Sequence, residues 1–444
     1  MAVENQSDRR LVLRGAVYPG DIAIAGGRIE SVGVIAPEPG DRVLNCDGAI
    51  VTPGLINTHH HLFQTITRGH AANCSLYDWL RSLYPIWESL TADDVYVAAV
   101  AGLSRLALSG CTTTADHHYL VLNGMDDMFD AIVAAARAVG IRLHLVRGGV
   151  DMGISTGGFA PDSFVESIDG YLDSAERLVN SSHDGERISI ALGPGNPLMV
   201  SNDLMRQCAA LADERGLGLH THFAEVAEER GEFLEMFGCS PLQILERTNW
   251  LGPNVWLAHG IHLSDVDISA LASTGTGVAH CPSSNARLGA GICRVSDLRR
   301  AGVAVGLGVD GAASSEDGGV LADVKMALYL ARLRSGKAEG FATVEALQLA
   351  TEGGAQCLGR KDIGTLTPGS LADIAVWPAE DLADMPVAVD ALVLGPERQV
   401  RHLLVGGELV VEDGHLTRVD GKTVRAELIS TAHRLWTDAT EIRV

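Results

Sequence analysis

Eight apolar, strand-like runs punctuate the middle of the chain, ending near Asn57, Asp116, Arg147, Leu192, His222, His259, His280 and Asp310. Helical patterns fill the gaps. In "TADDVYVAAVAGLSRLALSG", Thr91 is placed to cap the helix and Gly110 to stop it. "DDMFDAIVAAARAVG", "NDLMRQCAALADERG" and "VSDLRRAG" continue the alternation. Strand followed by helix, repeated eight times, predicts an α/β chain closed into a (β/α)8 barrel. An open doubly wound sheet would put a glycine-rich phosphate loop after an early strand, and no G-x-G-x-x-G stands there. In a barrel all strand C-termini meet on one face. Nearly every run here ends beside a residue able to bind a metal or substrate or to move a proton, which predicts one shared pocket.

The two ends of the chain differ from the middle. "RLVLRGAVY" and "DIAIAGGRIESVG" read as short strands, the second with a hairpin at Gly26-Gly27; "SLADIAVW" and "VRHLLVGGELVVEDG" repeat the pattern near the end. They predict a small β-sandwich assembled from residues 1–52 and 362–444, the latter with a terminal helix, around a barrel at 53–361.

Lysine and arginine number 34 against 56 aspartates and glutamates, a formal charge of −22. That excess opposes a polynucleotide partner or an anionic membrane surface. The eight cysteines are scattered with no C-x-x-C pair, as expected of reduced, mostly buried thiols. "MAVENQSDRR" has no apolar core behind it and no run is long enough to span a bilayer, so a cytoplasmic location is expected.

In "PGLINTHHHLFQ", positions two apart on a strand share a face, so His59 and His61 can reach one metal while His60 turns away. In "HTHFAE", His222 can join them, His220 lies deeper in a structural role, and Glu225 follows as a carboxylate for proton transfer. "WLAHG" brings His259 and "GLGVDG" brings Asp310. Three histidines and an aspartate with room for water suit zinc or iron. The nucleic-acid-editing deaminases use P-C-x-x-C ligands, and "HCPSSN" lacks the second cysteine.

"PGLINTHHH", "HTHFAE", "LAHG", "GLGVDGAAS" and "IGTLTPGSLADIAVW" resemble the amidohydrolase superfamily over nearly the whole chain. "WLRSLYPIWESLT", "SGCTTTADHHYL" and "GTGVAHCPSSNARLGAGI" resemble its cytosine/guanine-deaminase-like branch, most closely the 8-oxoguanine deaminases, with triazine hydrolases nearby. The resemblance implies one divalent metal, zinc or alternatively iron(II), held by His59, His61, His222 and Asp310. It implies that a small heterocycle is hydrolytically deaminated, 8-oxoguanine going to urate and ammonia, by a homo-oligomer. Alternatives are s-triazine hydrolysis and guanine, isoxanthopterin or cytosine-type deamination. Binuclear members bridge their metals with a lysine from the fourth strand, and "ISIALGPGNP" has none. A departure is Ser315 in "DGAASSEDGG", where relatives often carry asparagine.

By the same resemblance Asp310 takes a proton from the attacking water. His259 orients that water or steadies the tetrahedral centre, and Glu225 protonates a ring nitrogen and helps the amine leave. Gln64, whose carboxamide donates and accepts, matches the substrate-contacting glutamine of guanine deaminases. Arg147 is a second candidate contact, for an oxo group or an anionic ring, unless it forms an ion pair at the barrel rim. Of His117 and His118 only one can face the pocket, and His118 is taken. Trp79 is placed on a lid helix over a flat ring, Trp87 in packing, and Asn285 as a brace for the seventh loop. A ligand-free scaffold is the competing class; the complete set of metal-site residues favours an enzyme.

Overall fold

The structure, a computed structural model, describes residues 9–122 and 125–441. Its centre is a closed barrel of eight parallel strands. They span Leu55–Asn57, Cys111–His118, Arg142–Gly149, Ile188–Pro194, Gly218–Phe223, Val255–His259, Gly277–His280 and Val305–Leu307. Each pairs with the next in sequence, and Leu307 beside Asn57 closes the ring. The expected alternation holds. Strands two to four each run two residues past the expected ends, because His118, Arg147 and Leu192 still lie in register across them.

Local chemistry sets the helix limits. Helix Ala92–Leu108 starts at a capping box in which the Thr91 side chain accepts from the Asp94 amide while Asp94 bonds back to the Thr91 amide. Helix Asp127–Val139 stops at Gly140, whose left-handed φ of +96° any other residue would find strained.

The chain ends form two sheets. Leu11–Arg14 lies between Asp21–Ala25 and Arg42–Asn45, with Arg28–Gly33 outermost beyond the Gly26-Gly27 turn. The second sheet pairs Ala49–Pro53 with Ile374–Pro378 and continues through His402–Val405, Glu408–Glu412 and His415–Leu416. Leu13, Ile22, Ile24, Val51, Ile374, Val376 and Leu404 share one core, so the sandwich is built from both ends. It is pinned to the barrel by Arg142, fully buried on the third strand, whose guanidinium meets Asp373 through contacts of 2.7 and 3.0 Å. Helix Gly421–Glu441 closes the described chain and packs on helix Ala92–Leu108. All eight cysteines are unpaired, and all but Cys74 are buried. Among the described residues no helix is long and apolar enough to cross a membrane.

Candidate active site

The site forms where the strand ends release their side chains. His59 and His61 follow the first strand, His222 is the last residue but one of the fifth, His259 ends the sixth, and Asp310 stands three residues past the eighth. His259 and Asp310 hold left-handed backbone, φ +73° and +65°, and Ala224 beside His222 does the same at +52°. His259 and Asp310 line one pocket and Ala224 leads directly into Glu225, so the strained backbone gathers around one set of functional groups.

Three hydrogen bonds fix the imidazoles. His61 Nδ1 donates to the His117 carbonyl at 2.6 Å and His222 Nδ1 to the Gly195 carbonyl at 2.8 Å. His59 Nδ1 donates at 2.7 Å to His220 Nε2, because His220 Nδ1 is itself committed to the Trp256 carbonyl. Each Nε2 is therefore left as a lone pair facing inward. The Nε2 atoms of His61 and His222 stand 3.1 Å apart, and Asp310 Oδ1 lies 3.4 Å from those of His59 and His61. Burial keeps the imidazoles of His59, His61 and His222 neutral by driving their pKa values down. Converging lone pairs beside a carboxylate repel one another unless a cation sits among them, so this donor set fits a divalent metal.

Asp310 is steadied from behind: Ser284 Oγ donates to its Oδ2 at 2.6 Å and the Gly311 amide to its Oδ1 at 2.8 Å. His259 donates from Nδ1 to Asn285 Oδ1 at 3.0 Å, so Asn285, expected to brace the seventh loop, holds the sixth-strand histidine. Its Nε2 stands 3.6 Å from Glu225 Oε2. Burial, reinforced by the charge of Asp310 and opposed by His259, raises the Glu225 carboxyl above its ordinary value. Burial disfavours charge on His259, but Glu225 and then Asp310 outweigh it and its pKa rises. Asp310 shifts the other way, burial being outweighed by its contact with His59, so Glu225 and Asp310 are driven apart as separate acid and base roles require.

The pocket beside these groups is walled by Trp79, Tyr84, Tyr119 and Phe159, with Leu80 and Leu288 among its apolar lining. Gln64 reaches it from the turn Leu62–Thr67, its Oε1 unpartnered. A side chain at Gly311 would stand 1.8 Å from that oxygen, so glycine is what admits the carboxamide. Trp79 lines the pocket and is held by its Nε1 on the Ala313 carbonyl, 3.0 Å away; Trp87 is packing against Phe63 and Trp79, as expected. Among the described residues no lysine or arginine lines the pocket.

Two expected contacts do not reach the pocket. His118 points away from the barrel axis, its ring edge-on to Phe63 and Phe129. Arg147 is fully buried outside the barrel, bound to both Glu166 oxygens at 2.8 and 2.6 Å and stacked 4.1 Å from the Tyr171 ring. A single register explains both corrections. His118 and Arg147 are cross-strand partners, so they share the outer face. Ala115, Val146 and Ala191 occupy the inner face, and His117 follows Ala115 inward to within 5.0 Å of the His222 ring. Tyr84, Tyr119, Asn196 and Glu229 line the pocket without having been singled out.

Residues 50–410 match the Amidohydrolase family. The chain is 40% identical over 411 residues to the 8-oxoguanine deaminase of Pseudomonas aeruginosa, covering 90% of this chain and 91% of that one. It is 35% identical over 433 residues to an isoxanthopterin deaminase from an unknown prokaryotic organism, covering 92% and 90%. It superposes on the zinc complex of atrazine chlorohydrolase from Arthrobacter aurescens with a TM-score of 0.90 at 29% identity, over 95% of this chain and 100% of that one. The similarity runs through barrel and sandwich alike and takes in the strand ends that carry the histidine cluster. The chain belongs to the amidohydrolase family.

Proposed function

We propose that the chain is a hydrolytic deaminase of a small, neutral, aminated heterocycle, using one zinc held by His59, His61, His222 and Asp310. One arrangement carries this proposal: converging Nε2 lone pairs and a carboxylate stand beside the Glu225–His259 pair, in a flat-walled pocket without a cationic side chain. A bound divalent metal supplies an acidified water and positive charge near the oxygen that develops during attack. Glu225 gives its proton to a ring nitrogen next to the carbon under attack. Asp310 takes one proton from the water and hands it to the departing amine. The hydroxyl proton of the tetrahedral adduct then returns to Glu225, so a C–N bond is exchanged for C=O and ammonia leaves. His259, pinned through Nδ1 to Asn285, presents Nε2 to the adduct oxygen. Elemental analysis of the active protein is expected to find about one divalent metal per chain. Two tightly bound metals would overturn the single-site assignment.

For the substrate we propose an oxidised aminopurine, 8-oxoguanine, converted to urate and ammonia. With Arg147 outside the pocket, recognition falls to other groups. Gln64 Oε1 accepts from a lactam N–H, and the buried, unpartnered Tyr84 hydroxyl donates to an oxo oxygen. Losing the oxo group leaves such a donor unpaired, at a cost of about 1–3 kcal/mol. Ammonia release from 8-oxoguanine should therefore exceed that from guanine by at least about tenfold in kcat/KM, one decade being about 1.4 kcal/mol. Equal rates on the two purines would refute the substrate while sparing the hydrolytic site. A second reading, triazine hydrolysis, gains support from the alkyl-sized lining of Leu76, Leu80, Leu198, Met199 and Leu288. The same ammonia screen, run on pterins, pyrimidines and triazines with a chloride assay beside it, separates the two.

A further inference from the structure

Glu229 opens the helix Glu229–Phe237, one turn beyond Glu225, and is 3% exposed. It stands between two cavities. One is the catalytic pocket; the other is walled by Phe223, Arg230, Pro241, His262 and Asp267. Glu229 Oε1 accepts the backbone N–H of Glu225 at 3.1 Å, while Oε2 has no partner among the described residues. The peptide it holds follows Ala224, whose left-handed backbone directs its carbonyl to the amides of Ile261 and His262. The peptide entering Glu225 is thus held at both of its polar groups: its carbonyl by the sixth-strand loop and its N–H by Glu229.

Glu225, His259 and Tyr77 face Glu229 from the catalytic side. From the outer side come His262 and the Arg230–Asp267 pair, at 3.2 Å. Glu232 lies on its own helix and accepts from the Tyr77 hydroxyl at 2.5 Å. His259 offsets part of the charge of the two buried carboxyls, but burial outweighs it, so charging both is costly and one is expected to keep a proton.

We infer that Glu229 is a positioning residue for Glu225 that works in its neutral form, Oε1 fixing the Glu225 peptide and Oε2–H offering the pocket a hydrogen-bond donor. The inference rests on Glu225 being the proton donor of the proposed deamination. Burial, and then the charge of Glu225, push the Glu229 carboxyl up to about 8. It therefore holds its proton at neutral pH and releases it above that value. Ionised, it sets a negative charge beside Glu225, which then holds its own proton more tightly and gives it up less readily, and it withdraws the Oε2–H donor.

The test compares the wild-type holoenzyme with Glu229→Gln and Glu229→Ala, using whichever heterocycle the ammonia screen shows to be turned over. Wild-type kcat/KM should fall by about tenfold per pH unit above about pH 8. Glu229→Gln, which keeps an acceptor and a donor but cannot ionise, should retain far more of the pH 7 kcat than Glu229→Ala and extend the plateau upward. Glu229→Ala should lose kcat with little change in KM, and the glutamine variant should restore it. A glutamine profile superimposable on wild type overturns the inference, as does a loss of more than about a hundredfold at pH 7, which would mean the residue works ionised. Infrared titration of the substrate-free holoenzyme gives a readout independent of turnover. A protonated carboxyl band should vanish near pH 8 in the wild type and be missing from Glu229→Gln. Without that band the inference fails, whereas a screen with no active heterocycle defeats the deaminase reading instead.

Discussion

Glu225→Gln is expected to retain its metal and lose about 10²–10⁴-fold in kcat. Glu225 is 5% exposed and lines the pocket. Glutamine fills the same volume, and the backbone amide held by Glu229 is untouched, so the fold around the site should survive. A carboxamide cannot release a proton to a ring nitrogen or recover one from the adduct hydroxyl. Elemental analysis separates the outcomes: loss of metal would make Glu225 a ligand, and unchanged turnover would remove it from the chemistry. His259 should remain in place in this variant through its bond to Asn285, so the loss reports on the missing proton.

Glu166→Ala is expected to destabilise the chain by about 3–5 kcal/mol, the usual cost of stripping the partner from a buried ion pair. Arg147 has no exposed side-chain surface, and Glu166 takes both terminal nitrogens of its guanidinium. The Ser174 hydroxyl, the Gly148 carbonyl and the Tyr171 ring carry no charge, and Asp126 Oδ1, at 3.7 Å, stands too far off to replace the two close contacts to Glu166. Chemical denaturation should show the loss, while kcat/KM per folded molecule changes by less than about twofold. A specific rise in KM with unchanged stability would return Arg147 to the substrate.

The barrel was legible because parallel strands are nearly continuous apolar runs and their ends carry chemistry that core residues lack. The candidate ligands were legible from position: His59 and His61 by period-two spacing, His222 and Asp310 by standing, like His259, at or just past the ends of apolar runs. The second and third strands were harder for the same reason. All eight residues of Cys111–His118 are buried, as are all eight of Arg142–Gly149, so alternation in polarity cannot say which face looks inward. The available signal was size. Ala115, Val146, Ala191 and Ala279 are the small residues that fit the barrel interior, and counting from Ala115 puts His117 inside and His118 out. Glu229 hid differently. In "AEVAEERGEF" an acidic residue at a helix start is what the helix dipole favours on any surface, and only the fold shows this one buried. Tyr84 and Tyr119 read as ordinary core aromatics until the pocket wall is assembled.

Ala224, His259 and Asp310, with φ between +52° and +73°, each occupy backbone that costs an ordinary residue about 1–2 kcal/mol. Glycine would sit there more easily, but at two of the three positions it would delete a side chain assigned to the reaction, and at the third it would loosen the peptide leading to Glu225. Sequence drift towards sturdier variants thus runs against catalysis at this rim. Selection on melting temperature alone would favour silent proteins here, while changes on the outer helices escape that conflict.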